Sequence, residues 1–490
     1  MLTPPQGLAV DDSGQCRLPC DAGGVTAVSE AGGGFGAIVE RERGLKRTLG
    51  AGRLAMIAIG GAIGTGLFLG SGFAISLAGP AVLVSYAIGA LIALLLMGCL
   101  AEMTVAHPTT GSFGAYAEYY LGPLAGFLVR YAYWACIVLA VGTEVTAVAL
   151  YMHFWFPGPP GWLWILAFSG LLIGVNALSV EVFGAVEYWF SAVKVAAIVL
   201  FIALAGWIVL RAHGSGAAAP GWHYYFDHGG FFPKGPWGAW VAVIMAVFSY
   251  LSIEMIAVAA GEAAHPEIAV VRAFRSTVAR LVLFYLLTLA LVLAIVPWTA
   301  AGIDESPFVK VMRTLGVPAA AGILNFVILI AALSAMNSQL YITTRMMFSL
   351  ARAGLAPERF GALSRRGVPL ASLLLSSLGI ALATALSVLA PGTSFILMVA
   401  ISSFGALFTW MMIFVTHYRF RRVRERRGAA PLPFALPGFP YTTLLGAGLM
   451  AAVLVTTLFT AEFRLTLVFG IPFLAALALA YRLRHDATRR

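Results

Sequence analysis

An apolar run from Leu54 to Ala78 is long enough to cross a bilayer, yet its middle reads Gly60-Gly61-Ala62-Ile63-Gly64-Thr65-Gly66-Leu67-Phe68-Leu69-Gly70-Ser71-Gly72. Each glycine lowers helix propensity, so the run is expected to fold as two half-helices joined by an opened turn near Gly64-Thr65-Gly66. Backbone opened inside a membrane has to face a cavity or a ligand. The N–H groups from Thr65 onward, at the start of the second half-helix, present a positive dipole end suited to a carboxylate. The last carbonyls of the first half, near Ala62 and Ile63, suit an ammonium. Together the two ends fit a zwitterion. A second reading stays open, because Gly60 and Gly64 also have the small-xxx-small spacing of a helix-packing face.

The remainder of the chain is written for the same solvent. Of its 490 residues 60% are hydrophobic and only 11% charged, against about 25% charged in soluble domains. The expected fold class is an all-α polytopic membrane protein. Cys99 and Cys136 lie in apolar spans, and Cys16 and Cys20 lie in the N-terminal tail with no nearby histidine, so neither a disulfide framework nor a metal or other cofactor is expected. The formal charge of +10 is explained by where the basic residues sit, without nucleic acid as a partner.

Residues 1–44 are rich in Gly, Ala, Ser and Asp and lack the apolar core of a signal peptide, so a disordered cytosolic tail is expected. The transmembrane domain would then cover 45–485. After Leu54–Ala78 its spans are expected at Ala81–Met103, Leu124–Tyr151, Trp162–Leu178, Tyr188–Leu210, Trp237–Ala260 and Val278–Val296. Five more follow at Ala319–Leu350, Leu370–Leu389, Ser394–Thr416, Tyr441–Phe459 and Leu465–Ala480. With 12 spans, alternate connections share a side. One side collects the cluster Arg41 to Arg53, Arg272, Arg275, Arg352, Arg359, Arg365, Arg366, the run Arg419 to Arg427 and the C-terminal arginines. The other holds Arg211, Lys234, Lys310, Arg313 and Arg464. The positive-inside rule therefore places both termini in the cytosol. The loops between spans are too short for a soluble catalytic domain, and the histidines fall in loops or at span ends rather than deep in facing helices as a haem enzyme would need.

The sixth span carries hydroxyls and a carboxylate at mid-depth, Phe248-Ser249-Tyr250-Leu251-Ser252-Ile253-Glu254, where an acidic residue costs roughly 2.5–3.5 kcal/mol on insertion scales. Spans one and six stand five apart, the spacing of an inverted-topology repeat whose first helices are both discontinuous. Glu254 is either functional or a carboxylate satisfied by neighbouring helices.

Beyond these features, several segments match one pattern. They are Gly44-Leu45-Lys46-Arg47 leading into GGAIGTGLFLGSG, the GSF at Gly111 to Phe113, and the VFG at Val182 to Gly184 followed by Trp189-Phe190 and Lys194. Ser249 to Glu254 with Glu262, Pro297-Trp298 and the AALSAMNS at Ala331 to Ser338 complete the set. From Gly44 onward the chain resembles the amino acid permeases of the amino acid/polyamine/organocation superfamily. The resemblance implies the five-plus-five inverted-repeat (LeuT-like) transporter fold, with helices 1 and 6 discontinuous and helices 11 and 12 peripheral. It also implies uptake of an amino acid across the inner membrane, usually coupled to a proton, with exchange on the same fold as the alternative and no enzymatic activity.

Carried over by position, the resemblance implies that the amides of Thr65 and Gly66, beside Ile63 and Gly64, hold the substrate carboxylate, while carbonyls at Ala62, Phe248 and Leu251 receive the amino group. Ser249, Tyr250, Ser252 and Ile253 would shape the pocket wall, with Glu144 at its level. The pattern often has glycine where this chain has Leu251 and Ser252, and commonly has glycine where this chain has Arg130, read here as a snorkelling interfacial anchor. Lys194, in Ala192-Val193-Lys194-Val195-Ala196, has two readings. It matches the lysine that proton-coupled relatives place in lieu of a sodium ion, or it snorkels to the interface. Glu102, Glu254, Ser334 and Asn337 are the further candidates for coupling, with Glu144 as an alternative proton site; the polar groups of the eighth span are otherwise ordinary interhelical hydrogen-bonding residues.

Overall fold

The computed structural model describes residues 33–41, 63–109, 111–178, 180–212, 220–255, 257, 271, 274, 281–300, 305–314, 318–390 and 392–489. Ala62, Glu262, Arg272 and Arg275 lie outside them. All regular structure among the described residues is helical. The chain order begins with α1 (Gly33–Arg41), then a π-helical turn at Gly66–Gly70 that runs into α2 (Ser71–Ala78). Next come α3 (Val82–Ala106), α4 (Ser112–Leu121), α5 (Pro123–His153), α6 (Gly161–Leu178), α7 (Val180–Ala212) and α8 (Gly235–Tyr250). Then α9 (Thr288–Ile295), α10 (Pro307–Thr314), α11 (Pro318–Arg352), α12 (Leu370–Ser376) and α13 (Leu378–Leu389) follow. α14 (Ser394–Arg426), α15 (Tyr441–Thr456) and α16 (Arg464–Arg489) close the chain. Eight of the helical stretches are long and apolar enough to cross a membrane, and three shorter ones are apolar.

The helices sort by what they show outward. α6, α7 and α16 turn Leu171, Trp189, Leu200, Leu210 and Ile471 to the exterior, each more than half exposed. Such faces are stable against acyl chains and would be a liability in water. α5 instead sits at the centre, packed against α11, α13 and α14. Its contacts with α13 and α14 are backbone to backbone. A Cβ on Gly379 would overlap the carbonyl oxygen of Val138, one on Gly405 would overlap that of Ala132, and one on Gly142 would lie 2.5 Å from the Gly379 carbonyl oxygen. Without side chains at these points the helices approach as closely as small residues permit, the main source of helix association where lipid removes the hydrophobic drive.

Several sequence expectations need correction. Gly33–Arg41, expected within a disordered tail, is a helix whose Phe35 and Ile38 are buried. The Phe35 ring lies 4.3 Å from that of His107 and edge-on to Tyr119 at 5.4 Å, so one apolar face suffices to dock a nine-residue helix. Burial, with the Arg424 charge nearby, pushes the His107 imidazole down to about 4. α7 begins at Val180 instead of Tyr188, because Glu187 is buried and satisfied by other helices instead of ending the span. Lys194 therefore sits fourteen residues after the start of its helix, instead of the six that a start at Tyr188 implies.

Arg130 is not a snorkelling anchor. It is 3% exposed, donates to Glu118 Oε2 at 3.2 Å and reaches Ser349 Oγ at 3.4 Å, joining α4, α5 and α11. Gly114 makes the room, since a Cβ there would fall 2.5 Å from Arg130 Cγ. Removing one member of a buried pair leaves the other charged and desolvated. Arg130→Ala is thus expected to destabilise the protein by roughly 3 kcal/mol, the low end for buried pairs because Glu118 keeps some water. Thermal unfolding in detergent measures this, and the Arg130→Ala/Glu118→Gln double variant should recover part of the loss.

Candidate functional site

The described part of the first span opens as a bend at Ile63 and Gly64, and helical turns start at Thr65. Thr65 has φ −62° and ψ −23°, so its N–H points back toward the bend as the first unsatisfied donor of the following helix. Glu144 of α5 meets it. Its Oε2 accepts the Thr65 N–H at 3.1 Å, and Gly64 packs so tightly on the same carboxylate that a Cβ there would lie 2.6 Å from Oε1. Glu144 is 4% exposed. On the other side of the bend the Ile63 carbonyl accepts a hydrogen bond from Lys194 Nζ at 3.1 Å, and Lys194 is fully buried on α7. An ammonium thus meets the carbonyl end of the bend and a carboxylate meets its amide end.

Lys194 belongs to a larger constellation. Glu187, one stripe back on α7, accepts from Asn337 Nδ2 at 3.1 Å, from Ser191 Oγ at 3.3 Å and from the Ser334 hydroxyl, and its charge acts on Lys194. Asn176 Nδ2 of α6 donates to Asn337 Oδ1 at 2.8 Å. Ser334 and Asn337 therefore reach Lys194 through Glu187, a residue the sequence reading passed over. The signal was present: Glu187, Ser191 and Lys194 are spaced i, i+4, i+7 and share one helix face.

The second break lies where the sequence placed its polar cluster. α8 ends at Tyr250, Leu251 turns to φ −56° and ψ 148°, and Ser252 adopts φ +80°. A non-glycine residue in the left-handed region costs about 1–2 kcal/mol, which Ser252 bears at the break itself. Glu254 holds this turn: its Oε1 accepts the Ser252 N–H at 3.2 Å and the Tyr133 hydroxyl at 2.7 Å. Phe248 and Ile253 are buried beside it, and the Phe248 carbonyl accepts the Leu251 N–H at 3.1 Å.

Ser249 joins the two breaks. Its hydroxyl donates to the Gly66 carbonyl at 2.8 Å and is 2.8 Å from the Tyr86 hydroxyl, while its own carbonyl accepts from Tyr285 at 3.0 Å. Gly66 lies against Ser249 backbone, where a Cβ would come within 2.6 Å of the Ser249 Cα. Tyr86, Tyr133 and Tyr285 had no sequence signal as site residues, since isolated tyrosines in apolar runs are indistinguishable from packing. Glu102 is buried elsewhere, accepting from Arg421 Nη2 at 2.9 Å and Leu436 N–H at 2.8 Å, with His417 Nε2 at 3.1 Å. These bonds fasten α3 to α14 and the segment after it, and none involves α7 or the bend. Among the described residues no cluster of three histidines, cysteines or carboxylates could hold a metal ion.

The sequence profile of the amino acid permease family matches residues 53–479. The chain is 39% identical to amino-acid permease RocC of Bacillus subtilis (strain 168) over 88% of its own length and 93% of that protein's. It is 37% identical to the gamma-aminobutyric acid permease of the same organism, covering 87% and 90%. With the aromatic amino acid transport protein AroP of Escherichia coli (strain K12) it shares 37% identity over 91% and 97%. An all-helical fold with several membrane-length apolar helices, two opened backbone segments facing each other and this extent of identity lead to one conclusion: the chain belongs to the amino acid permease family, and is a multi-pass membrane transporter, not an enzyme.

Proposed function

We propose that the protein carries an amino acid across the cytoplasmic membrane together with a proton, into the cell. The observation that carries this reading is the buried Lys194 ammonium on the Ile63 carbonyl. A charge placed there braces the opened backbone only while it is protonated, so its proton and the shape of the substrate site are linked. The opened segment from Ala62 to Gly66 would hold the substrate's carboxylate and amino group, with Phe248 to Ile253 forming the side-chain wall and Glu254, Ser334 and Asn337 supporting coupling. The reading includes twelve spans, the first ten as two inverted repeats of five, with a cytosolic tail over 1–44 and both termini in the cytosol, in accord with the basic-residue count.

Vesicles containing the purified protein test it. An imposed pH gradient, acid outside, is expected to drive a labelled amino acid to an internal concentration above the external one, and a screen of the common amino acids as competitors then identifies the substrate. Counterflow that proceeds equally well without a gradient, with no gradient-driven accumulation, would make the protein an exchanger. Equilibration without either behaviour would make it a channel.

A further inference from the structure

Both poles of the first-span bend are occupied by the protein's own side chains, and the two occupants are not equivalent. Lys194 sits behind the bend on the carbonyl side, in the constellation of Glu187, Ser334 and Asn337. Glu144 sits on the amide side, and its carboxylate takes the very donor, the Thr65 N–H, that an amino acid's carboxylate requires. A helix N-terminus offers few such donors, and one N–H donates fully to one acceptor.

We infer that Glu144 is a resident surrogate for the substrate's carboxylate, seated on the Thr65 amide while the site is empty and displaced when an amino acid binds. The inference rests on the proposed amino acid site and deepens it. Three geometric facts support it. The carboxylate packs edge-on against Gly64 with no intervening side chain, the approach a ligand would make. Ala335 of α11 crowds the same face of Gly64, where a Cβ would lie 2.9 Å from its methyl as well as 2.6 Å from Glu144 Oε1, so the subsite has no room for a second carboxylate beside that of Glu144. Glu144 stands on α5, whose backbone is seated on α13 and α14, so the seat is a fixed one.

Displacement has a charge consequence. Around Glu144 the facing groups are Lys194 on α7, with Glu187 behind it, Gln339 on α11, and Tyr151 on its own helix. Moved off the Thr65 N–H, the Glu144 carboxylate stays in a buried site without the donor that satisfied its charge, and a buried anion left without a partner is costly. As the substrate carboxylate takes the Thr65 N–H, Glu144 leaves as the neutral acid, its carboxylate oxygen gaining one proton from the water-open side. No other bond is made or broken. Substrate binding and proton uptake are then a single exchange at one amide, and Glu144 is a positioning residue for the proton as well as a gate on the subsite.

The test begins with acetate, which carries the atoms that Glu144→Ala removes. Millimolar acetate is expected to raise the melting temperature of detergent-solubilised Glu144→Ala saturably, as a ligand of the folded state should, and to leave the parent and Glu144→Gln unchanged. This arm needs no transport substrate, so it stands or falls apart from the proposed function. In the second arm the amino acid found by competition binds Glu144→Ala and Glu144→Gln about tenfold more tightly than the parent above neutral pH, and a pH indicator in weak buffer records proton uptake on binding by the parent alone. Weaker binding in both variants, with no effect of acetate, would overturn the inference and make Glu144 a direct ligand of substrate. Proton uptake by Glu144→Gln equal to the parent's would also overturn it, and this readout remains if Glu144→Ala fails to fold.

Discussion

A single methyl group at Gly66 is expected to weaken substrate binding severely. In Gly66→Ala the new Cβ would lie 2.6 Å from the Cα of Ser249 and 3.2 Å from its Oγ, and the first of these is backbone that cannot rotate away. The two opened segments must then separate, breaking the Ser249 to Gly66 hydrogen bond and moving the Thr65 amide off its aim. Overpacking of this kind costs about 1–3 kcal/mol, and where the strain falls on the binding geometry this becomes a roughly 5- to 150-fold loss of affinity. Two further alanines calibrate the effect. Gly70→Ala meets the flexible end of Met245 at 2.9 Å and the Thr65 carbonyl oxygen only at an ordinary 3.7 Å and should be mild, while Gly206→Ala meets nothing within 4 Å and should match the parent. Radioligand binding on monodisperse protein reads the series. Parent-like affinity in Gly66→Ala would place the substrate away from this junction.

Lys194 should have the second large effect. Lys194→Ala is expected to erase accumulation driven by a pH gradient, bringing the inside-to-outside ratio to about 1, because the first span loses the ammonium that braces its substrate-ready shape at the Ile63 carbonyl. Lys194→Arg keeps a charge at every relevant pH and should fail as well, held in one state with a fork that does not fit a site made for a compact ammonium. Glu187 complicates Lys194→Ala, since it would be left buried without its cation, a loss that can reach 3–5 kcal/mol. The Lys194→Ala/Glu187→Gln double variant separates the two effects: folding should recover, gradient-driven accumulation should not. If Lys194→Ala and Lys194→Arg both accumulate substrate with the parent's pH dependence, the lysine is structural and coupling resides with Glu144 or Glu254.

What could be read from the sequence follows from how each feature is encoded. Apolar length and glycine placement are local, so the membrane class and the bend at Gly64 were legible without coordinates. The polar run Ser249 to Glu254 marked the end of α8 for the same reason. Partners are not local. That Thr65 meets Glu144, seventy-nine residues away, or that Glu254 meets Tyr133, depends on helix arrangement that periodicity does not specify. Glu187 was missed for a different reason: a charge near an apolar run reads as a boundary, and only the hydroxyl and amide of Ser334 and Asn337 reveal that it lies inside. Arg130 was misread likewise, its counterion being on another helix.

The glycine seats of α5 have a mechanical consequence. A helix joined to its neighbours backbone against backbone cannot slide or tilt without prying carbonyls from α-carbons, so α5, α13 and α14 act as the stator of the machine. The half-helix from Gly66 through α2 and the helix α8 pack on each other instead and share the Ser249 joint. Glu144 is where the opened first span is latched to this rigid group, and a substrate carboxylate that takes the Thr65 amide in its place would release the latch.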